Sequence, residues 1–162
     1  MKYKIILSSN SPRRKELLAG LDLDYEVRVM DGIDESYPHD LPASEIPVYL
    51  SKKKAAAYTI AEGELVLTAD TVVVLGDEVL GKPKDETDAK RMLRELSGKT
   101  HQVITGVCLT TTNKQQAFAV TTDVTFKILT DEEIDYYVTQ YKPLDKAGAY
   151  GIQEWIGYIG CT

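Results

Sequence analysis

The chain has 162 residues, enough for one domain with a core of its own, and 43% of them are apolar against 27% charged. Twenty-five acidic residues outnumber 19 basic ones, a formal charge of −6 that repels polyanions and argues against broad binding to nucleic acid or an acidic membrane. Two cysteines and two histidines, in no metal-type spacing, exclude a structural zinc site and fit a reducing, cytoplasmic setting. No apolar stretch is long enough to span a bilayer, and the N-terminal run is too short for the core of a signal peptide.

Residues 3–9 read as a short buried strand. Ser11 as N-cap and Pro12 in the first turn then open a helix to about Leu21, with Leu17, Leu18 and Leu21 as its apolar face. Residues 24–30 alternate as a strand and run into a polar loop, DGIDESYPHD. From Ser44 to about Ala61 the spacing predicts a helix that buries Ile46, Leu50, Ala57 and Ala61. Its edge carries Lys54, while Lys52 and Lys53 read as solvated.

LVLTADTVVVLGDEVLG reads as a long strand, a Gly-Asp turn and a second strand. A helix follows from about Asp85 with Ala89, Met92, Leu93 and Leu96 inward, closed by Ser97-Gly98. Two more strands flank an Asn113-Lys114 turn. Thr130 and Glu133 form a capping box for a last long helix, with Ile134, Tyr137, Val138 and Tyr141 inward and Pro143 beyond its end. Hairpins mixed with helices imply an α/β fold with a mixed sheet.

Two features conflict with their surroundings. Arg13, Arg14 and Lys15 occupy a helix's first turn, where the macrodipole opposes cations. A solvated basic helix start is the alternative, but a bound phosphate would resolve the conflict, and the preceding strand with Ser8, Ser9 and Ser11 favours it, since strand–loop–helix is where α/β folds bind phosphates. Asp70 lies inside an apolar strand, where a carboxylate is costly unless paired, metal-bound or exposed at a bend. It is therefore either a strand break or a rigidly held base or metal ligand, and Glu35 in the polar loop could supply a second carboxylate. Lys54 and Lys82, the latter fixed between Gly81 and Pro83, complete a charge set suited to a polyphosphate with a divalent cation. Neither a GxxxxGK[ST] loop nor a GxSxG elbow occurs. Cys108 and His101 read as structural.

Seven blocks in order, LSSNSPRRKELL, DE at 34–35, Lys54-Ala55, ADTVV, GKP, LSGKTHQVITGV and DKAGAYGIQ, resemble the Maf family of nucleotide pyrophosphatases. The resemblance implies a single domain over 1–162: a mixed twisted sheet with flanking helices, two lobes around a cleft, and an architecture like that of the inosine triphosphate pyrophosphatases. It implies hydrolysis of dTTP and UTP between the α and β phosphates, with Asp70 as catalytic base. Arg13, Thr71 and Gln153 match positions tied to substrate choice. Ser9, Arg14, Lys54, Lys82 and Lys146 match polar positions of the site, and Asp70 with Glu35 would carry Mg²⁺ or Mn²⁺. A Gln amide offers one donor and one acceptor, which suits uracil or thymine.

The resemblance also suggests a homodimer and a house-cleaning role on pyrimidine nucleotides. A non-catalytic nucleotide-binding regulator linked to septum formation is the alternative; it needs the phosphate clamp but no base. Cleavage at the γ-phosphate is a third reading, and would yield orthophosphate. Asn10 departs from the small residue usual there, and the sequence stops at Gly160-Cys161-Thr162 where the family continues, so the family's C-terminal segment is expected to be missing from it.

Overall fold

A computed structural model describes residues 3–9, 11–152 and 154–160. Asn10, Gln153 and Cys161 lie outside the described residues. In chain order the elements are β1 (Lys4–Leu7), α1 (Pro12–Ala19), β2 (Tyr25–Val27), α2 (Ile46–Ala56), β3 (Glu64–Leu75) and β4 (Glu78–Leu80). There follow α3 (Glu86–Leu96), β5 (Thr100–Thr110), β6 (Gln115–Thr125), α4 (Asp131–Tyr141) and α5 (Trp155–Gly160). Short 3₁₀ turns at Ala43–Glu45 and Ala147–Ala149 lead into α2 and follow α4.

The six strands form one mixed sheet in the order β2-β1-β3-β5-β6, with β4 paired to β3. β1 runs parallel to both β2 and β3, while β4 returns antiparallel, Val73 facing Leu80. This is the mixed α/β sheet with flanking helices that the alternation of hairpin and helix signals implies. The chain divides into two compact units, Met1–Asp70 with Thr105–Val120, and Thr71–Ile104 with Thr121–Thr162.

In the first unit, β1 and β3 bring Ile6 and Val66 together against Tyr58. The helix α2 is anchored by polar as well as apolar contacts. Thr68 of β3 donates its hydroxyl to the Ser51 carbonyl at 2.6 Å, and both residues are fully buried. Gly106 of β5 lets the start of α2 lie directly on it, since a Cβ there would stand 2.5 Å from Val48 N and 2.6 Å from the Pro47 carbonyl oxygen. Three register expectations fail in this unit. Of the apolar face expected on α1 only Leu18 is buried, and Leu17 and Leu21 stay 56% and 66% exposed. The helix ends at Ala19, before it reaches Leu21, so Leu21 is not carried inward on its face. Likewise α2 ends at Ala56, so Ala55 takes the buried place expected of Ala57, and Ala61 is exposed. β2 keeps only three residues of the longer strand expected there.

The second unit holds the larger apolar cluster. Ala89, Met92, Leu93 and Leu96 are all buried on α3, as their spacing requires, and meet Phe126 and Ile134. Asp85 caps α3 by accepting from the Asp88 N–H, and the reciprocal Thr130–Glu133 box caps α4. Of the inward residues expected on α4, Ile134, Tyr137 and Val138 are buried, but Tyr141 is 37% exposed and stacks on Tyr137. The αL residue Lys142 ends that helix just before Pro143. No described helix is long and apolar enough to cross a membrane.

Candidate active site

In the first unit β1 ends in a serine-rich loop whose bonds prepare the start of α1. Ser8 donates its hydroxyl to the Leu67 carbonyl (3.1 Å), which ties the loop to β3. The Ser9 hydroxyl accepts from the Ser11 N–H (3.1 Å), and Ser11 in turn caps α1 by accepting from the Arg14 N–H (3.3 Å). Of the paired arginines, Arg13 is about half exposed and meets Glu16 at 3.6 Å. Arg14 turns inward and donates to the Ala69 carbonyl at 3.4 Å. Burial lowers the Arg14 pKa, and the nearby Asp70 charge opposes that shift.

Asp70 is no strand break: β3 runs continuously through it, and its side chain is 15% exposed. Lys54, three turns into α2, reaches across to it. Its ammonium lies 3.1 Å from Asp70 Oδ1, 3.1 Å from the Ala69 carbonyl oxygen and 3.6 Å from Glu35 Oε1. Burial pushes the Asp70 carboxyl above its ordinary range; the Lys54 charge and hydrogen bond pull it back, Glu35 raises it and Arg14 lowers it. A carboxylate that is desolvated yet kept close to two cations is suited to taking a proton. Asp70 Oδ2 has no hydrogen bond among the described residues.

The two acids that converge on Lys54 fit a Mg²⁺-type cation, which takes one or two carboxylates and fills its remaining positions with water and substrate phosphate oxygens. No cluster of three or more His, Cys, Asp or Glu side chains that could enclose a metal occurs among the described residues.

Lys53 differs from its expected solvated state. Its ammonium donates to Asp34 Oδ2 (3.1 Å), the Ser36 carbonyl (2.8 Å) and the Ser36 hydroxyl (3.2 Å). Asp34 also accepts from the Ser36 N–H and hydroxyl, both at 2.9 Å. Three bonds from Ser36 and Lys53, the Ser36 amide foremost, hold the Asp34 carboxyl down to about 2. The Asp-x-Ser spacing is the sequence signal of such an Asx turn and would have revealed it.

In the second unit, Thr71 follows Asp70 along β3, and Lys82 is exposed beside buried Pro83. The Gly148 N–H donates to the Gly81 carbonyl (3.1 Å), which joins the Gly81–Lys82 corner to the Ala147–Ala149 turn. That turn needs glycine: Gly148 has φ +70°, and a Cβ on it would meet Val73 Cγ2 at 2.8 Å. Lys146 contacts Asp145 at 3.2 Å and Glu154 at 3.9 Å. Buried Tyr137 donates to Glu154 (2.7 Å) and accepts from the Gly151 N–H (3.0 Å), so one phenol bonds both residues. Burial and the Glu154 carboxylate raise the phenol's pKa. Among the described residues, then, the first unit brings together Arg14, Glu35, Lys54 and Asp70, keeps Ser9 in the loop before α1 with its bond to Ser11, and leaves Arg13 at the surface.

A family model described as Maf-like protein matches residues 4–161. A protein named dTTP/UTP pyrophosphatase from Phocaeicola vulgatus is 63% identical over 161 residues, which cover 98% of this chain and 83% of that protein. Its namesake from Bacteroides thetaiotaomicron is 61% identical with the same coverage, and one from Porphyromonas gingivalis is 54% identical over 98% of this chain and 81% of its own. The solved structure of a HAM1 protein from Coxiella burnetii aligns at 12% identity with a TM-score of 0.49, covering 76% of this chain and 73% of that one. A family match over nearly every residue, joined by relatives this similar across the same span, makes the chain a member of the Maf family.

Proposed function

We propose that this chain hydrolyses dTTP and UTP to the nucleoside monophosphate and pyrophosphate. The carrying observation is the semi-buried Asp70 carboxylate, paired with Lys54 and close to Arg14, in a chain 63% identical to a protein named dTTP/UTP pyrophosphatase. Asp70 takes a proton from water as its oxygen attacks the α-phosphorus, and the bond from that phosphorus to the α,β-bridging oxygen breaks. The leaving pyrophosphate gains negative charge, so cations fixed beforehand favour the transition state over the bound substrate.

Arg14 and Lys54 are held in that way by the Ala69 carbonyl, which costs them no reorganisation during reaction. Ser9, Lys82 and Lys146 join them as phosphate-binding residues, and Arg13, Thr71 and Gln153 select the base, on the match of each to the family's pattern. Asp70 and Glu35 would hold Mg²⁺ or Mn²⁺, which supplies charge neutralisation for the triphosphate. The reading further takes residues 1–162 as one catalytic domain, cytoplasmic, and acting as a homodimer.

The test offers dTTP, UTP, CTP, ATP, GTP and 7-methyl-GTP with Mg²⁺ or Mn²⁺ and measures pyrophosphate and orthophosphate separately. Pyrophosphate from dTTP and UTP, lost by orders of magnitude in Asp70→Asn, is the expected result. Orthophosphate as first product, or an Asp70→Asn variant as fast as the parent, would overturn the assignment.

A further inference from the structure

Lys53 and Lys54 are neighbours on α2 but serve different partners. Lys54 reaches Asp70, whereas Lys53 crosses to the loop that carries Glu35. Glu35 belongs to a long stretch without helix or strand, has a 56% exposed side chain, and among the described residues pairs with Lys54 at 3.6 Å. A side chain in such a loop would sample many positions, and ordering it costs backbone and side-chain entropy.

Both neighbours of Glu35 are nonetheless fixed. Asp34 accepts from the Ser36 amide and hydroxyl, which closes a turn around Glu35, and Lys53 bonds to Asp34 and Ser36 together. The Lys53 ammonium has three N–H donors and three oxygen partners within 3.2 Å. It also stands 5.9 Å over the Tyr49 ring one turn earlier on α2. An isolated exposed ion pair contributes little, but one cation bonded to two backbone-linked residues restrains the residue between them.

We infer that Lys53 is a positioning residue: through Asp34 and Ser36 it holds Glu35 beside Lys54 and Asp70, and so sets how tightly the site takes a divalent cation. The inference rests on the proposed role of Glu35 and concerns a residue outside the set that the family pattern assigns. Lys52, exposed on the same helix, is the natural control.

The experiment is a double-mutant cycle of Lys53→Met and Glu35→Gln. Mn²⁺ affinity is measured by electron paramagnetic resonance with the non-hydrolysable analogue α,β-imido-dTTP, and kcat for dTTP alongside. Lys53→Met should weaken Mn²⁺ binding and lower kcat about tenfold, with the melting temperature and metal-free analogue binding unchanged and with partial rescue in Lys53→Arg. In the Glu35→Gln background it should add nothing, and Lys52→Met should match the parent throughout. An undiminished effect in the Glu35→Gln background, or no effect in the parent, overturns the inference. Amide exchange at Ser36 should rise in Lys53→Met, and unchanged exchange likewise overturns it. If Glu35→Gln alone leaves Mn²⁺ binding and kcat intact while Ser36 exchange rises in Lys53→Met, the assignment of Glu35 fails and the brace itself stands.

Discussion

The Lys54 ammonium is equidistant, at 3.1 Å, from Asp70 Oδ1 and from the carbonyl oxygen of the preceding residue in β3. One cation thus fixes both the side chain and the backbone at the point where a carboxylate interrupts an apolar strand. The carbonyl contact matters because it holds Lys54 in place whether or not Asp70 is ionised. Lys54 therefore tunes the Asp70 carboxyl from a fixed position.

The protonation of Asp70 follows from this arrangement. Burial raises its pKa, and the Lys54 charge and hydrogen bond are the two largest opposing influences. In the metal-free protein the Asp70 carboxyl should titrate above the ordinary carboxylate range, and Lys54→Met should move it higher still. A raised folded-state pKa means that Asp70's contribution to stability is full below the unfolded value and is lost as pH rises through the folded one. Asp70→Asn, uncharged throughout, should then melt at or above the parent temperature at pH 8. Carbon-13 titration of the carboxyl and thermal melts check both; a lower melting temperature for Asp70→Asn would show that the Lys54 pair outweighs the burial cost.

His101 carries a second pH dependence, of opposite sign. Its Nε2 lies 2.6 Å from the Tyr150 hydroxyl, its ring packs edge-on against Phe126 and Tyr150, and buried Nδ1 has no hydrogen-bond partner among the described residues. Burial lowers its pKa, so its contribution to stability is present above the ordinary histidine value and is lost as pH falls through the depressed one. The melting temperature should fall as the pH drops below the ordinary histidine value of 6.5. His101→Leu should cost about 1–3 kcal/mol at neutral pH, since it removes a hydrogen-bond partner of Tyr150, yet show a shallower fall on acidification. Parallel pH profiles would assign the acid sensitivity to other groups.

Legibility in the sequence followed the reach of the signals. Caps are local, so Ser11 and the Thr130–Glu133 box are where the residues say they are. The α3 face was legible because four apolar residues keep one period over three turns. Asp70 stood out because a buried charge requires a partner, and Lys54 is that partner. The α1 face misled because Leu17, Leu18 and Leu21 fit a longer helix than the one that ends at Ala19. Three successive lysines carry no periodic information, so the sequence does not separate Lys53 from Lys52; only the loop folded against α2 does. The Gly106 contact, made to Pro47 and Val48 far away in the chain, has no local signature at all.

That contact gives the last prediction. The backbone of α2 presses on Gly106, and a Cβ there would intrude on Pro47 and Val48 main-chain atoms, which cannot rotate away as a side-chain tip would. Gly106→Ala must lift the start of α2, the helix that presents Lys54 and Lys53 from its far end. The expected loss is about 1–3 kcal/mol, a fall in melting temperature of roughly 2–12 °C for a chain of this size, with a drop in turnover at temperatures where the protein remains folded. Gly81→Ala is the comparison, since a Cβ at Gly81 meets nothing within 4 Å, and its stability should stay within about 0.5 kcal/mol of the parent. Equal melting temperatures for the two variants would mean that α2 is seated by Thr68 and Ser51 alone, and that its close approach to β5 contributes nothing.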